Sequence, residues 1–249
     1  MKVLSIDIDY IMRPSIDLYQ GECWNDCAHW RWKRFFENSE ILENNLDIDK
    51  INLLFCYDVF LKSIKESSCK VSFSYDHDNI LFDIGEFKDI ELINIDHHHD
   101  ILYSDGDDNE SVMESFKEKY EQVSKYSMVH EGNWVGWLRS KDKIKSYTWI
   151  GNENSFSSID EFKSMYYKNF LPKFNMKTRE NYTFKDYKFD HIFVCLSPQY
   201  IPPIHWHYFN MFKIAYEQIS GNSVNIIEST TKKFETSIRH STVTDEILY

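Results

Sequence analysis

The stretch from position 90 to position 100 constrains the fold of this chain more than any other part of its sequence. Residues 90–95 form an apolar run typical of a buried β-strand, and five residues that carry only carboxylates and imidazoles follow at once, Asp96-His97-His98-His99-Asp100. Ligands of open α/β sheets bind at the carboxyl ends of the strands. The stretch therefore predicts an α/β protein with a polar site where this strand ends.

The spacing of these polar residues indicates a metal site. Asp96, His98 and Asp100 stand at alternate positions, and alternate side chains of an extended segment point to the same side. Two carboxylates and one imidazole suit Mn, Fe or Zn better than Ca. The alternative is a polar loop whose histidines are solvated.

A second strand, predicted over residues 3–9, also ends in acid. Asp7 and Asp9 would share one face of it. Two carboxylates held close together cost free energy unless a cation or a proton lies between them, so this is a second candidate half-site for a metal. An exposed edge strand with ordinary alternation is the other interpretation.

A third strand, predicted over residues 71–75, runs into Asp76-His77-Asp78. His77 is either a metal ligand or a structural histidine. It stands 19 positions before Asp96, a separation that fits a crossover between parallel strands. We therefore expect these two strands to be neighbours in the sheet.

The remaining periodicity alternates helices with strands over one domain, residues 1–249. Helices are predicted at 51–64, 110–125, 159–170 and 204–219, and strands at 145–150, 191–196 and 224–227. Gly221 is expected to end the last helix.

The composition indicates which classes of partner and substrate the chain can bind. The net charge of −12 makes nucleic acid an unfavourable partner and favours a cationic substrate. No signal peptide and no membrane-spanning run is visible, and five cysteines without a pairing framework are typical of reduced thiols, so we expect a cytoplasmic protein that does not bind membranes.

Taken together, the motifs resemble the metal-binding set of the arginase/deacetylase-like ureohydrolases. Within that family the chain is most similar to the group that includes peptide arginases, which convert arginine side chains of ribosomal precursor peptides to ornithine. The likeness rests on Ile95-Asp96-His97-His98-His99-Asp100, on Glu131-Gly132-Asn133-Trp134 and on Ser197-Pro198-Gln199-Tyr200-Ile201-Pro202-Pro203. It implies a three-layer α/β/α sandwich with a mainly parallel sheet. The family pattern S-x-D-x-D is present as Ser5-Ile6-Asp7-Ile8-Asp9, and D-x-H-x-D as Asp96 to Asp100. The first precedes the second here instead of following it, so the strand order is expected to differ.

The resemblance also implies two Mn²⁺ ions and their ligands. Asp96 and Asp7 would bridge the ions, and the full ligand set would be Asp7, Asp9, His77, Asp96, His98 and Asp100. His77 and Asp100 would complete the coordination of one ion, and His98 and Asp9 would complete that of the other. A bridging hydroxide would then attack the guanidinium carbon of an arginine-containing peptide and release urea.

Catalytic and substrate roles fall on the segment after position 129. His130 is the first candidate for the general acid, with His205 or His207 as the second. Glu131 would pair with the guanidinium, and Asn133 and Trp134 would line the pocket. A structural turn with buried tryptophans is the other interpretation of this segment.

Three other functions fit the same residues. Asp96-His97-His98 resembles the Asp-His-His motif of Mn-dependent phosphoesterases. A deacetylase with one metal leaves the Asp7/Asp9 pair unexplained. A metal-stabilised binding module without turnover is the alternative outside enzymes.

Overall fold

The computed structural model describes residues 1–13, 32, 47–101, 129, 132–156 and 173–227. Within these ranges seven strands form one sheet in which all the pairings are parallel. The strands are β1 (Lys2–Asp7), β2 (Lys70–Ser74), β3 (Ile90–Ile95), β4 (Ile144–Ile150), β5 (Phe174–Lys177), β6 (His191–Cys195) and β7 (Ile226–Ile227). The α-helices are α1 (Lys50–Glu66), α2 (Leu81–Ile84), α3 (Trp134–Ser140) and α4 (His207–Ser220).

The sheet is buried on both faces. On β1, Leu4 and Ile6 belong to one hydrophobic core, whereas Val3 belongs to the other. Helices α1 and α4 cover the first core, and α2 and α3 cover the second. Each such buried aliphatic side chain contributes about 1.5–3 kcal/mol to stability, which favours this two-sided covering. The predicted three-layer α/β/α architecture is confirmed.

Local signals set the helix boundaries. The Asp49 side chain accepts hydrogen bonds from the backbone amides of Ile51 (2.7 Å) and Asn52 (3.1 Å) and so begins α1. Gly221 ends α4 in the left-handed region, with φ of 71°, as predicted. The predicted helix at 204–219 is split, because a 3₁₀ turn at Pro203–His205 precedes α4. The predicted helices at 110–125 and 159–170 lie outside the described residues.

The strand order is β5-β4-β3-β1-β6-β2-β7. The expectation that β2 and β3 are neighbours is therefore wrong, since β6 and β1 lie between them. Because β1 pairs with β3, however, the carboxyl ends of the two acid-bearing strands lie side by side, with Ile6 opposite Ile95. Among the helices that the structure describes, none has the length and apolar character needed to cross a bilayer.

Candidate metal centre

Asp7 and Asp9 reach the carboxyl edge of the sheet through a turn. β1 ends at Asp7, two residues earlier than predicted, and Ile8–Ile11 form a 3₁₀ turn. The Asp7 carboxylate caps this turn by accepting a hydrogen bond of 3.1 Å from the backbone amide of Asp9. The two carboxylates therefore do not share a strand face, yet both are buried.

The segment after β3 is also a turn and not the extended chain that the alternate spacing suggested. The backbone amide of His98 donates to Asp96 Oδ1 at 2.7 Å, which bends the chain directly after the strand. Asp100 lies in the left-handed region with φ of 55°, a conformation that costs a residue other than glycine about 1 kcal/mol or more.

His77 crosses the edge of the sheet to meet these residues. It begins a 3₁₀ turn, His77–Ile80, which follows β2 after two residues. Its ring stacks on Phe193 of the intervening strand β6, with centroids 6.0 Å apart and an interplanar angle of 2°. Ring atom Nε2 lies 2.7 Å from Ser5 Oγ, and Nδ1 points to the carboxylates. The separation between β2 and β3 is thus bridged by a side chain.

Three carboxylates surround His77 Nδ1. The distances from this nitrogen are 3.1 Å to Asp7 Oδ2, 3.2 Å to Asp96 Oδ2 and 3.1 Å to Asp100 Oδ2. One N–H cannot serve three acceptors, whereas a cation bound by the nitrogen and the oxygens would satisfy them all. Asp7, His77 and Asp96 offer ligand atoms within 4.8 Å of one another.

A second group lies beside the first. Asp9, Asp96 and His98 also place their ligand atoms within 4.8 Å of one another. His98 Nδ1 is 2.9 Å from Asp9 Oδ2 and 3.8 Å from Asp96 Oδ1. Asp9 Oδ2 is nevertheless buried without a hydrogen bond of acceptable geometry among the described residues. A carboxylate oxygen and an imidazole nitrogen that lie this close together could bind the same ion.

The pKa values reflect the crowding of negative charge. Burial, then the charges of Asp100 and Asp7, raises the pKa of Asp96 to about 7. Burial and the charges of Asp7 and Asp96 raise the pKa of Asp9 well above its usual range. Burial lowers the pKa of His77, but the carboxylates of Asp100, Asp7 and Asp96 outweigh burial and raise it well above its usual range.

The charge balance of the cluster fits a metal ion. Four buried carboxylates face two imidazoles, so even two imidazolium charges leave an excess of two negative charges. With all four carboxylates ionised, this uncompensated buried charge would cost several kcal/mol. Without an ion, protons offset part of it, as the raised pKa values of Asp9 and Asp96 show, and a divalent cation would replace those protons. The donor set, carboxylate oxygens with one imidazole in each group, suits first-row divalent metals. These buried Asp and His groups could therefore hold a metal ion.

Three residues without a predicted role contact the candidate ligands through their side chains. Ser197 Oγ donates to Asp7 Oδ2, Ser5 Oγ contacts His77, and Asn94 Nδ2 donates to Asp96 Oδ2 at 3.0 Å. Ser197 itself has a left-handed backbone, with φ of 46°. Ser5 and Ser197 lie inside the segments that carried the family likeness, which is the one signal in the sequence that marked them.

The predicted catalytic and substrate residues are described in part. His130 and Glu131 lie outside the described residues. Asn133 is buried just before α3, and Trp134 is fully buried and donates its indole N–H to Asp100 Oδ2 at 2.6 Å. His205 and His207 lie near each other at the start of α4, with ring centroids 6.5 Å apart.

The two other histidines of the Asp96–Asp100 segment lie outside both ligand groups. His97 Nδ1 is 3.2 Å from Ser155 Oγ. His99 Nδ1 accepts a hydrogen bond of 2.9 Å from the backbone amide of Ile101, and burial, followed by the charge of His98, lowers the pKa of His99 to about 3. This shift favours the neutral form of the His99 imidazole.

Comparisons with protein-family models, with curated proteins and with solved structures each find no match to this chain.

Proposed function

We propose that this chain is a metal-dependent hydrolase of the arginase type, which uses two Mn²⁺ ions to convert arginine side chains of a peptide to ornithine and urea. The observation that carries the proposal is the position of Asp96. One of its carboxylate oxygens lies in the group with His77 and the other faces His98. A carboxylate shared between two ligand groups could bridge a pair of metal ions.

Two metals are favoured over one by the number of ligands. The His77 group and the His98 group each contain an imidazole and a carboxylate of their own in addition to Asp96. When bound, two divalent cations lower the pKa of a water molecule and so supply a nucleophile at neutral pH. A single-metal deacetylase would leave Asp9 and His98 without a role.

The charge around the site favours a cationic substrate. Among the residues that the structure describes, the cluster contains four buried carboxylates, and no lysine or arginine is buried. A guanidinium is permanently cationic and resonance-stabilised, so it needs both an acidic environment and a strong nucleophile. Within the described residues, a phosphate monoester would have to be bound by the metal ions alone, since no buried lysine or arginine is available there to assist them.

The residues of the chain divide the work. Asp7, Asp9, His77, Asp96, His98 and Asp100 would hold the ions, and the buried sheet edge excludes bulk water from their inner side. His98 is 26% exposed, so the His98 side is the open one, and Tyr200 lies against it with ring centroids 4.6 Å apart. The general acid that protonates the leaving amine is proposed to be His130, with Glu131 at the guanidinium, both on the basis of the family likeness.

The Asp-His-His phosphoesterase interpretation has less support. It would make His97 a ligand beside Asp96 and His98. His97 lies outside both ligand groups, with its Nδ1 close to Ser155 Oγ. The experiment below can still detect phosphoesterase activity, which would favour this alternative.

The test measures bound metal and urea on the same purified protein. We expect Mn²⁺-loaded protein to release urea from a peptide with an internal arginine faster than from free arginine. Asp96→Asn should lose both bound Mn²⁺ and urea release, because Asp96 belongs to both ligand groups. Asp58→Asn is the matched control, since Asp58 is an exposed carboxylate on α1 that pairs with Lys62.

Three outcomes would count against the proposal in different ways. Hydrolysis of an aryl phosphate without urea would favour the phosphoesterase. Bound metal with neither activity would favour a binding module. Faster urea release from free arginine would retain the chemistry but reject the peptide substrate.

A further inference from the structure

Trp134 is fully buried in the structure, although its place in the sequence suggested a residue of the substrate pocket. Its indole ring packs against the His77 imidazole, with centroids 4.9 Å apart. Its Nε1–H donates to Asp100 Oδ2 at 2.6 Å. The same carboxylate oxygen lies 3.1 Å from His77 Nδ1. One tryptophan thus contacts two members of the candidate metal centre.

The backbone around Trp134 holds Asp100 as well. The carbonyl oxygen of Asp100 accepts hydrogen bonds from the amides of Val135 (3.1 Å) and Gly136 (3.4 Å) in the first turn of α3. Asp100 therefore uses its main chain and its side chain to bind one short helix. These bonds offset the cost of its left-handed backbone.

We infer that Trp134 is a positioning residue for the metal centre and does not line the substrate pocket. Its N–H fixes the carboxylate of Asp100 against His77, and its ring limits rotation of the imidazole. Partners behind a metal ligand set its orientation, and their removal typically weakens metal binding by about 10–100-fold. The inference rests on the metal centre of the proposed function, and it adds the residue that orients His77 and Asp100.

The experiment replaces Trp134 by Phe, which keeps an aromatic ring but lacks the N–H donor. We expect Mn²⁺ to bind about tenfold more weakly or worse, measured by titration calorimetry on the metal-free protein. At saturating Mn²⁺ the KM for the arginine peptide should stay at the wild-type value. Trp137→Phe is the control, because Trp137 lies one turn further along α3 and is also buried; it should keep the wild-type Mn²⁺ affinity.

A double-mutant cycle tests whether the effect passes through Asp100. In an Asp100→Asn background, Trp134→Phe should weaken Mn²⁺ binding by much less than it does alone, because the two residues share one contact. Equal effects in both backgrounds would contradict the inference. So would an unchanged Mn²⁺ affinity with a raised KM, which would place Trp134 in the substrate pocket.

Two further results keep the test decisive. If circular dichroism shows that Trp134→Phe does not fold, Trp134→Tyr replaces it, since Tyr also lacks a donor at the position of the indole N–H. If neither variant folds, while Asp100→Asn folds and binds Mn²⁺ normally, Trp134 serves only to pack the core, and the inference is overturned. A wild-type protein that binds no metal would reject the proposed function, whereas a wild-type site insensitive to Trp134→Phe rejects the positioning role only.

Discussion

Ser5 lies within the sheet directly beneath the candidate metal centre. A histidine that binds a metal through Nδ1 carries its proton on Nε2, and His77 Nε2 lies 2.7 Å from Ser5 Oγ. Ser5 is fully buried, so water cannot replace its hydroxyl. Because Ser5 Oγ can accept from that N–H, the serine would support the tautomer of His77 that presents Nδ1 to a metal ion.

We expect Ser5→Ala to weaken Mn²⁺ binding by about 10–100-fold and to lower the free energy of unfolding by about 1–3 kcal/mol, because the buried Nε2–H loses its acceptor. Metal titration and urea denaturation measure the two effects. Ser63→Ala provides the comparison: Ser63 is equally buried, but its hydroxyl donates to the Val59 carbonyl within α1. A loss of Mn²⁺ affinity in both variants would show a general effect of buried serines and refute the role given to Ser5.

At the scale of single residues, the sequence predicted the ligand types but not the contacts behind them. Asp96 and His77 stood out because carboxylates and imidazoles directly followed predicted strands. Ser5, Asn94 and Ser197 are ordinary polar residues in sequence. Their roles depend on which side chains face them across the sheet, and local pattern carries no information on that.

At the scale of secondary-structure elements, an ion pair joins α2 to the amino edge of the sheet, at the opposite end from the metal centre. Asp83 of α2 contacts Lys70 at the start of β2, and its Oδ2 lies 3.4 Å from His191 Nε2 at the start of β6. Burial opposes ionisation of Asp83, but contacts with His191, Lys70 and Ser72 outweigh it and lower the pKa of the carboxyl.

The direction of that shift fixes a pH dependence. The folded pKa of Asp83 lies below its usual value of 3.8, so its stabilisation is present above that value and is lost as the pH falls through the folded pKa. We expect Asp83→Asn to lower the free energy of unfolding by about 1–2 kcal/mol at neutral pH, since Lys70 is largely exposed and screened. Denaturation from pH 7 down to about 2 checks this, and the difference between wild type and variant should shrink below the usual pKa of 3.8. A difference between wild type and variant that grows towards low pH would contradict it.

The elements themselves were predicted unevenly, for physical reasons. The bounds of β3 agree with the predicted run, because a strand buried on both faces is apolar along its whole length. The end of β1 and the D-x-H-x-D segment were predicted to stay extended. Both are turns instead, because the carboxylates of Asp7 and Asp96 each accept a hydrogen bond from the backbone amide two residues later. The strand order was missed because β1 pairs with β6, almost 190 positions away, and periodicity does not report pairings between distant segments.

At the scale of the whole molecule, the candidate ligands come from three distant parts of the chain. Asp7 is the last residue of β1, whereas His77 and Asp96 follow β2 and β3, and the three meet where these strands end. An ion bound by all three would bind the folded chain far better than the unfolded one. Such binding adds about 2.7 kcal/mol to stability at a free metal concentration 100 times Kd, or roughly 5–10 °C in Tm for a chain of this size.

The gain in Tm on adding Mn²⁺ should depend on pH, because the ion must displace protons from its ligands. Without metal, the pKa of Asp96 is raised to about 7 and that of His77 well above its usual range. Both raised values stabilise the protonated, metal-free fold at low pH and lose that contribution as the pH rises through them. The Tm of chelator-treated protein should therefore fall from about pH 6 to about pH 8 relative to that of Mn²⁺-loaded protein, and the gap between them should widen. Thermal scans at fixed free Mn²⁺ measure this gap. Asp96→Asn should abolish it, and a gap that is constant or narrows towards pH 8 would show that the ion does not bind at these carboxylates and imidazoles.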